Sequence, residues 1–230
     1  MRRILKQRKN KTAFKTTKKS KLAVEFSLIT TAFHEAGHAL VALLNHGYVH
    51  FTALYVNKKS SATDDLGKVE YDGAADLSAI QDSDLLNHLL MVDISIYQAG
   101  LASEKLFYKD ICGTDQLPYV IKEGSHIDFS YVSDIIKKYN LAAPGKKRYA
   151  FKKKTFRKTQ RLLSENWDDV KLIAHLLFQK KKIYFEDFKQ LLTKKSSSKQ
   201  YWKEQFKAIE MLHESSTDLS EAQIKKLLKV

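Results

Sequence analysis

From residue 28 to 46 the chain reads LITTAFHEAGHALVALLNH, apolar on almost every side of a helix. A helix that is apolar around its circumference is a buried one. The run predicts a helix over 28–46, opened by Ser27 or Thr30 and closed at Gly47. The period then changes. VHFTALYVN (49–57) and GKVEY (67–71) are rich in β-branched and aromatic residues, flank the polar KKSSATDD, and predict two short strands. Helical spacing returns over 84–108. A loop carrying Gly113, Pro118 and Gly124 follows. A helix is predicted at 128–140, where Phe129, Val132, Ile135, Ile136 and Tyr139 repeat at helical spacing. Further helices are predicted at 145–165, 168–180 and 185–194. KKSSSKQ (194–200) reads as a polar linker, and amphipathic helices at 200–213 and 218–229 close the chain. A cap of Thr217, Asp218 and Ser220 with Glu221 opens the last of them. No internal repeat is evident. The fold class is therefore mainly α with a small β element.

Composition narrows this further. A chain of 230 residues with 43% apolar content suits one domain with appendages. The net charge of +14 is unevenly spread: residues 1–21 hold ten Lys/Arg and no acid, with no sustained apolar period. Residues 1–22 are expected to form a disordered basic arm. The arm lacks the apolar stretch of a secretory signal and is Lys-rich where a transit peptide is Arg- and Ser-rich. It suits nucleic acid or an anionic surface, or equally a solubilising tail. A second basic run, 146–158, interleaves Tyr149, Phe151 and Phe156 and follows the turn signal Pro144-Gly145. A solvated helix face is its first reading and an anionic partner its second. Cys112, the lone cysteine, excludes an internal disulfide and a cysteine-based zinc site, consistent with a reducing cytoplasm. No run of 18 apolar residues offers a membrane span.

The first helix also carries chemistry. His34-Glu35-Ala36-Gly37-His38 is an H-E-x-x-H motif. Residues four apart stand on one helix face about 6 Å apart, close enough for both imidazoles to reach one zinc ion. Glu35, offset by one residue, can take a proton from water that the metal acidifies. The bland alternative is a surface helix with two solvated histidines. The apolar flanks oppose it, since buried neutral histidines need partners. Gly37 sits inside the helix at a cost of about 1 kcal/mol relative to Ala. Either substrate or backbone passes close to it, or a neighbouring helix packs there; spacing does not separate the two.

A catalytic zinc takes a third protein ligand. The metzincin continuation fails, because Val41 and Leu44 stand where its glycine and third histidine belong, and His46 and His50 are wrongly spaced. A gluzincin would place a Glu on a second helix in the region that reads here as strands and loop.

Taken with its surroundings, the motif resembles the peptidase domain of the FtsH-type, membrane-anchored ATP-dependent zinc proteases. AFHEAGHALVALL is similar to that family's zinc helix, and LGKVEYD falls where the family has a short β segment. DLLNHLLMVDISIYQAGLASEKLF resembles its next long helix, with Gly100 to Lys105 in place of a G-R-A-A-E-E-like segment. Gly124-Ser125-His126-Ile127-Asp128-Phe129 is similar to the family's G-A-x-N-D-[LI]. RLLSENWDDVKLIAHLLFQKKKIYFEDFKQLL resembles its closing helical pair, with a short hairpin between the helices. The likeness spans 27–193.

The resemblance implies that Asp128 is the third zinc ligand. From the residues alone, an acid at the start of the 128–140 helix is equally an ordinary N-cap, and Asp115, Glu123 and Glu104 are fallback ligands. Glu104 is expected instead to orient a metal-bound imidazole, and His126 is expected to be merely exposed. Two positions depart from the family: Leu101 replaces its Arg, and Ile127 its Asn. No G-x-x-x-x-G-K-[ST] motif occurs, so a stand-alone peptidase domain without a motor is expected.

The expected organisation is a basic arm (1–22), an FtsH-peptidase-like, zincin-like zinc domain (23–194), and a linker with C-terminal helices (195–230) that cover a groove or mediate self-association. The expected activity is ATP-independent, zinc-dependent hydrolysis of unfolded or flexible polypeptides, with the edge of the 49–57 strand holding substrate by strand addition. A non-catalytic zinc-binding regulator or adaptor is the alternative. Nucleic-acid binding through the two basic runs is a third reading that can coexist with proteolysis. A homo-oligomer and a separate ATPase are the partners this leaves open.

Overall fold

The computed structural model describes residues 26–45, 50–56, 67–72, 77–114 and 126–214. The protein is mainly helical with one small three-stranded antiparallel sheet. Helix α1 spans 26–44. Ser27 and Thr30 lie within it rather than at its cap. The Thr30 hydroxyl donates to the Phe26 carbonyl at 2.9 Å, and Thr31 to Ser27 at 3.0 Å, the back-bonding that mid-helix threonines adopt. The expected closing residue, Gly47, lies outside the described residues, as do residues 1–22 and the helix expected at 218–229.

Strand β1 (His50–Val56) pairs antiparallel with β2 (Gly67–Asp72), with a register irregularity between Phe51 and Ala53. The other side of β1 pairs with β3 (Lys182–Tyr184), giving the order β2-β1-β3. β1 is therefore the central strand. Both its sides are hydrogen-bonded from Ala53 to Tyr55, which corrects the expectation that its edge is open to substrate there. Among the described residues, β2 keeps one side without a strand partner.

A short 3₁₀ turn, Leu77–Ala79, leads to α2 (Ser83–Asp110). Asp82 caps α2, its Oδ1 accepting from the backbone N–H of Asp84 and Leu85 at 3.1 and 2.9 Å. Helix α3 (His126–Lys138) places Val132 and Ile136 against Ile94 of α2 in a small apolar cluster. Helices α4 (Lys146–Glu165) and α5 (Trp167–Lys180) follow, then β3. Helix α6 (Phe185–Lys195) opens on a capping box in which Asp187 Oδ2 accepts from the Tyr184 N–H at 2.9 Å. Three residues, Ser196 to Ser198, join it to α7 (Lys199–Glu214). Trp202, Phe206 and Ile209 of α7 are fully buried in the main core with Leu40 and Leu43 of α1 and Phe188 and Leu192 of α6. The Trp202 indole N–H donates to Asp169 Oδ2 at 2.7 Å, giving a buried ring a satisfied polar atom. No helix among the described residues is long and apolar enough to cross a membrane.

At Gly37 α1 and α2 approach closely. A Cβ there would lie 2.6 Å from the Ala99 carbonyl oxygen and 2.7 Å from Ser103 Cβ, both on α2. The Ser103 hydroxyl donates across the same contact to the Phe33 carbonyl at 2.6 Å. Close helix packing is thus the reason for this glycine. Gly37→Ala is expected to lower unfolding free energy by about 1–2 kcal/mol in urea denaturation, because contacts this short place the overpacking at about 2–3 kcal/mol, the upper part of its usual range, against a helix-propensity gain of about 1 kcal/mol. An unchanged or higher midpoint would show that the two helices separate without cost.

Candidate metal centre

Three helices supply the site. α1 carries His34, Glu35 and His38 over one turn. α2 crosses beneath it, presenting Ile96, Gly100 and Glu104, and the first turn of α3 brings Asp128. The two imidazole Nε2 atoms lie 2.9 Å apart, and Asp128 Oδ2 lies 3.2 Å from that of His34 and 3.5 Å from that of His38. Together the three side chains form a group able to hold a metal ion.

The remaining ring nitrogens fix what these atoms are. His38 Nδ1 donates to the Ile96 carbonyl oxygen at 2.6 Å, and His34 Nδ1 donates to Glu104 Oε1 at 3.1 Å. When both rings are neutral, the proton on each Nδ1 leaves a lone pair on each Nε2. Two imidazole lone pairs and a carboxylate oxygen then converge with no donor among them. Such a cluster is repulsive without a cation. A proton on one Nε2 relieves only some of the contacts, whereas a metal ion relieves all three. A tetrahedral zinc about 2.0–2.1 Å from each ligand sets its ligand atoms about 3.3 Å apart, and the observed edges bracket that spacing. The donor set and its dimensions fit the ion.

The charges of the site respond in the same sense. Burial opposes the charged form of His34, but the Asp128 and Glu104 carboxylates that hydrogen-bond to it, with Glu35 nearby, hold its pKa well above the ordinary range. Burial raises Asp128, yet its contacts with His34 and His38 outweigh this and leave it well below the usual carboxylate range. Burial pushes Glu35 up, opposed by the two histidines and assisted by Asp128 and Glu104. The cluster has a strong affinity for positive charge.

Gly100 makes room for it. A Cβ on that residue would stand 2.4 Å from Cε1 and Nε2 of His34 and 2.6 Å from His38 Nε2. Gly67, the first residue of β2, does the same for Glu35: a Cβ there would meet Glu35 Oε1 at 2.6 Å. The sheet thus begins against the Glu35 carboxylate. Glu104 is buried, with Oε1 on His34 and Oε2 unpaired among the described residues, the arrangement by which a carboxylate fixes the tautomer of a ligand imidazole.

Every residue named from the sequence for this site, His34, Glu35, His38, Glu104 and Asp128, is in this one cluster. The fallback ligands Asp115 and Glu123 lie outside the described residues. His126 and Ile127, at the start of α3, are exposed. The sequence reading missed Ile96, which acts through its backbone and has no sequence signal. It also gave Gly67 and Gly100 no role. For Gly100 a signal existed, since an interior helix glycine has a cost that needs a reason. No protein-family model matches the chain, and no curated protein matches it.

Proposed function

We propose that this chain is a zinc-dependent endopeptidase with a zincin-like, FtsH-type peptidase domain, acting on unfolded or flexible polypeptides. The observation that carries the reading is the convergence of His34 Nε2, His38 Nε2 and Asp128 Oδ2 beside the buried Glu35. A structural zinc site is closed by four protein ligands and needs no base; this one offers three together with a carboxylate of its own.

His34, His38 and Asp128 would hold the zinc, with Glu104 and the Ile96 carbonyl fixing the two rings. When bound, zinc supplies Lewis acidity, polarising the scissile carbonyl and lowering the pKa of water. Glu35 takes the proton from the attacking water and passes it to the leaving amine. The side of β2 that has no strand partner among the described residues runs from Gly67, against Glu35, and suits an extended peptide added as a further strand. A flexible chain can adopt that form, whereas a folded substrate must first open. None of these groups engages a nucleotide, so hydrolysis of an unfolded substrate is expected without ATP. The lone exposed Cys112 suits a reducing, cytoplasmic setting.

The test is casein hydrolysis with zinc determined on the same sample, for wild type and Asp128→Ala. Wild type is expected to bind about one zinc per chain and cleave casein, to lose activity to a chelator, and to regain it with added zinc. Asp128→Ala is expected to bind zinc at least about 100-fold more weakly, since a lost ligand should exceed the 10–100-fold typical of a ligand's supporting partner. Stoichiometric zinc in wild type with no cleavage would return the site to the regulatory reading. Undiminished zinc affinity in the variant would remove Asp128 from the ligand set.

A further inference from the structure

Helix α4 presents a second feature, unconnected to the metal centre. Its exposed cations are Lys146 and Lys147 in the first turn, then Lys153, Lys154, Arg157, Lys158 and Arg161. At 3.6 residues per turn they fall within an arc of about 140°, with the small Ala150 at its middle. The opposite arc is occupied: Thr155, Thr159 and Leu163 are buried, and Phe156 and Leu162 pack on the main core. Over Ala150 the cationic side chains border an open groove of about 460 Å³.

Little inside the chain neutralises this stripe. Among the described residues no carboxylate pairs with Lys153, Lys154, Arg157 or Lys158; only Arg161 has one, Glu165, at 2.8 Å at the far end. Lys153 and Arg157, Lys154 and Lys158, and Arg157 and Arg161 are like charges four residues apart, which repel along a helix. The first turn also places cations and no acid at the positive end of the helix dipole, and Gly145 supplies no side-chain cap to its free N–H groups. An anion lying along the helix offsets each of these unfavourable terms.

We propose that the exposed face of α4 binds the phosphate backbone of a nucleic-acid duplex, without sequence specificity. Seven cations over about 23 Å of helix give roughly one charge per 3.3 Å, close to the one per about 3.4 Å along a single strand of B-form DNA. The helix offers one exposed aromatic, Tyr149, at the edge of this arc, too few for the stacking platforms that hold single strands. A membrane surface fits less well, because the apolar side of α4 is already spent in the core and has nothing to insert. The face points away from the metal centre. Gln98 of α2 meets α4, its side-chain amide donating to the Lys152 carbonyl at 3.2 Å, while Gly100, two residues on, faces the imidazoles.

The test is fluorescence anisotropy of the full chain with a labelled mixed-sequence duplex of about 20 base pairs, between about 50 and 200 mM salt. One variant carries Lys153→Glu, Lys154→Glu, Arg157→Glu and Lys158→Glu. A control of equal charge change carries Lys109→Glu, Lys137→Glu, Lys194→Glu and Lys195→Glu, which spares the stripe. The stripe variant is expected to bind at least about tenfold more weakly, with the salt slope falling by about three to four, near 0.9 for each phosphate no longer neutralised. The control is expected to weaken by less than about threefold under the same law. The corresponding four Gln substitutions are to be measured alongside, so that a misfolded Glu variant, detected by circular dichroism, does not decide the outcome. Equal weakening in stripe variant and control would overturn the proposal. So would tighter binding of a single strand than of the duplex, or stripe-dependent binding of phosphatidylserine vesicles with no duplex binding.

Discussion

Glu35→Gln is expected to cut casein hydrolysis by at least about 10³-fold while leaving zinc stoichiometry unchanged. The change replaces one carboxylate oxygen with an amide of nearly the same shape, so the packing around Gly67 is kept. What disappears is the group able to accept a proton, and general-base catalysis contributes about 10²–10⁴-fold. His34, His38 and Asp128 are untouched, and removing a negative charge beside the two histidines weakens the pull on a cation only slightly. Zinc analysis on the assayed sample separates the two roles. Cleavage within tenfold of wild type would assign the proton transfer to another group, and loss of zinc together with activity would make Glu35 a ligand or a structural support.

Gly100→Ala is expected to cost more metal affinity than the same change at any other described glycine. Its added methyl would occupy space within 2.4 Å of His34 Cε1 and Nε2 and 2.6 Å of His38 Nε2. Neither ring can turn aside freely, since Glu104 holds one through Nδ1 and the Ile96 carbonyl holds the other. Relief requires breaking one of those bonds or parting α1 from α2, and either spreads the three ligand atoms. Zinc affinity is expected to fall at least about 100-fold, the upper end of what disturbed ligand support costs. In an isolated helix the same substitution is favourable by about 1 kcal/mol, so α2 itself is not disfavoured and helix content without metal should hold. Competition against a chromophoric chelator reads the affinity, and far-ultraviolet circular dichroism reads the helix. Wild-type zinc affinity would mean that the rings have other rotamers able to bind.

Long, strongly periodic segments were the most legible part of the chain. The run containing Leu40 and Leu43 declared a buried helix, and the helical spacing over 84–108 placed the next within a residue or two. Thr30 misled because a threonine inside a helix and one at its start look the same in sequence; only the bond back to Phe26 distinguishes them. β3 was foreshadowed solely by the family's hairpin, as three residues carry no measurable alternation. Its effect on β1 is a matter of topology: nothing near Ala53 indicates that Tyr184 will pair with it. The two histidines and Glu35 were legible because one helical turn fixes their relation. Asp128 became a candidate through resemblance, since its place depends on how α3 meets α1 across residues distant in sequence. The Ile96 carbonyl had no signal at all, being a backbone atom that any residue would supply.

The central position of β1 also sets an order on how the chain assembles. His34, His38 and Asp128 all leave the ribosome before β3 does, so the helices that carry them can meet while one flank of β1 is still bare. At about 5–20 residues per second, synthesis from Val56 to Tyr184 occupies about 6–26 seconds. During that interval the unpaired side of Ala53 to Tyr55 is an open template for a strand of a neighbouring nascent chain. Closure of the sheet by Lys182 to Tyr184 is thus the late step that removes this hazard, and it does so with three residues.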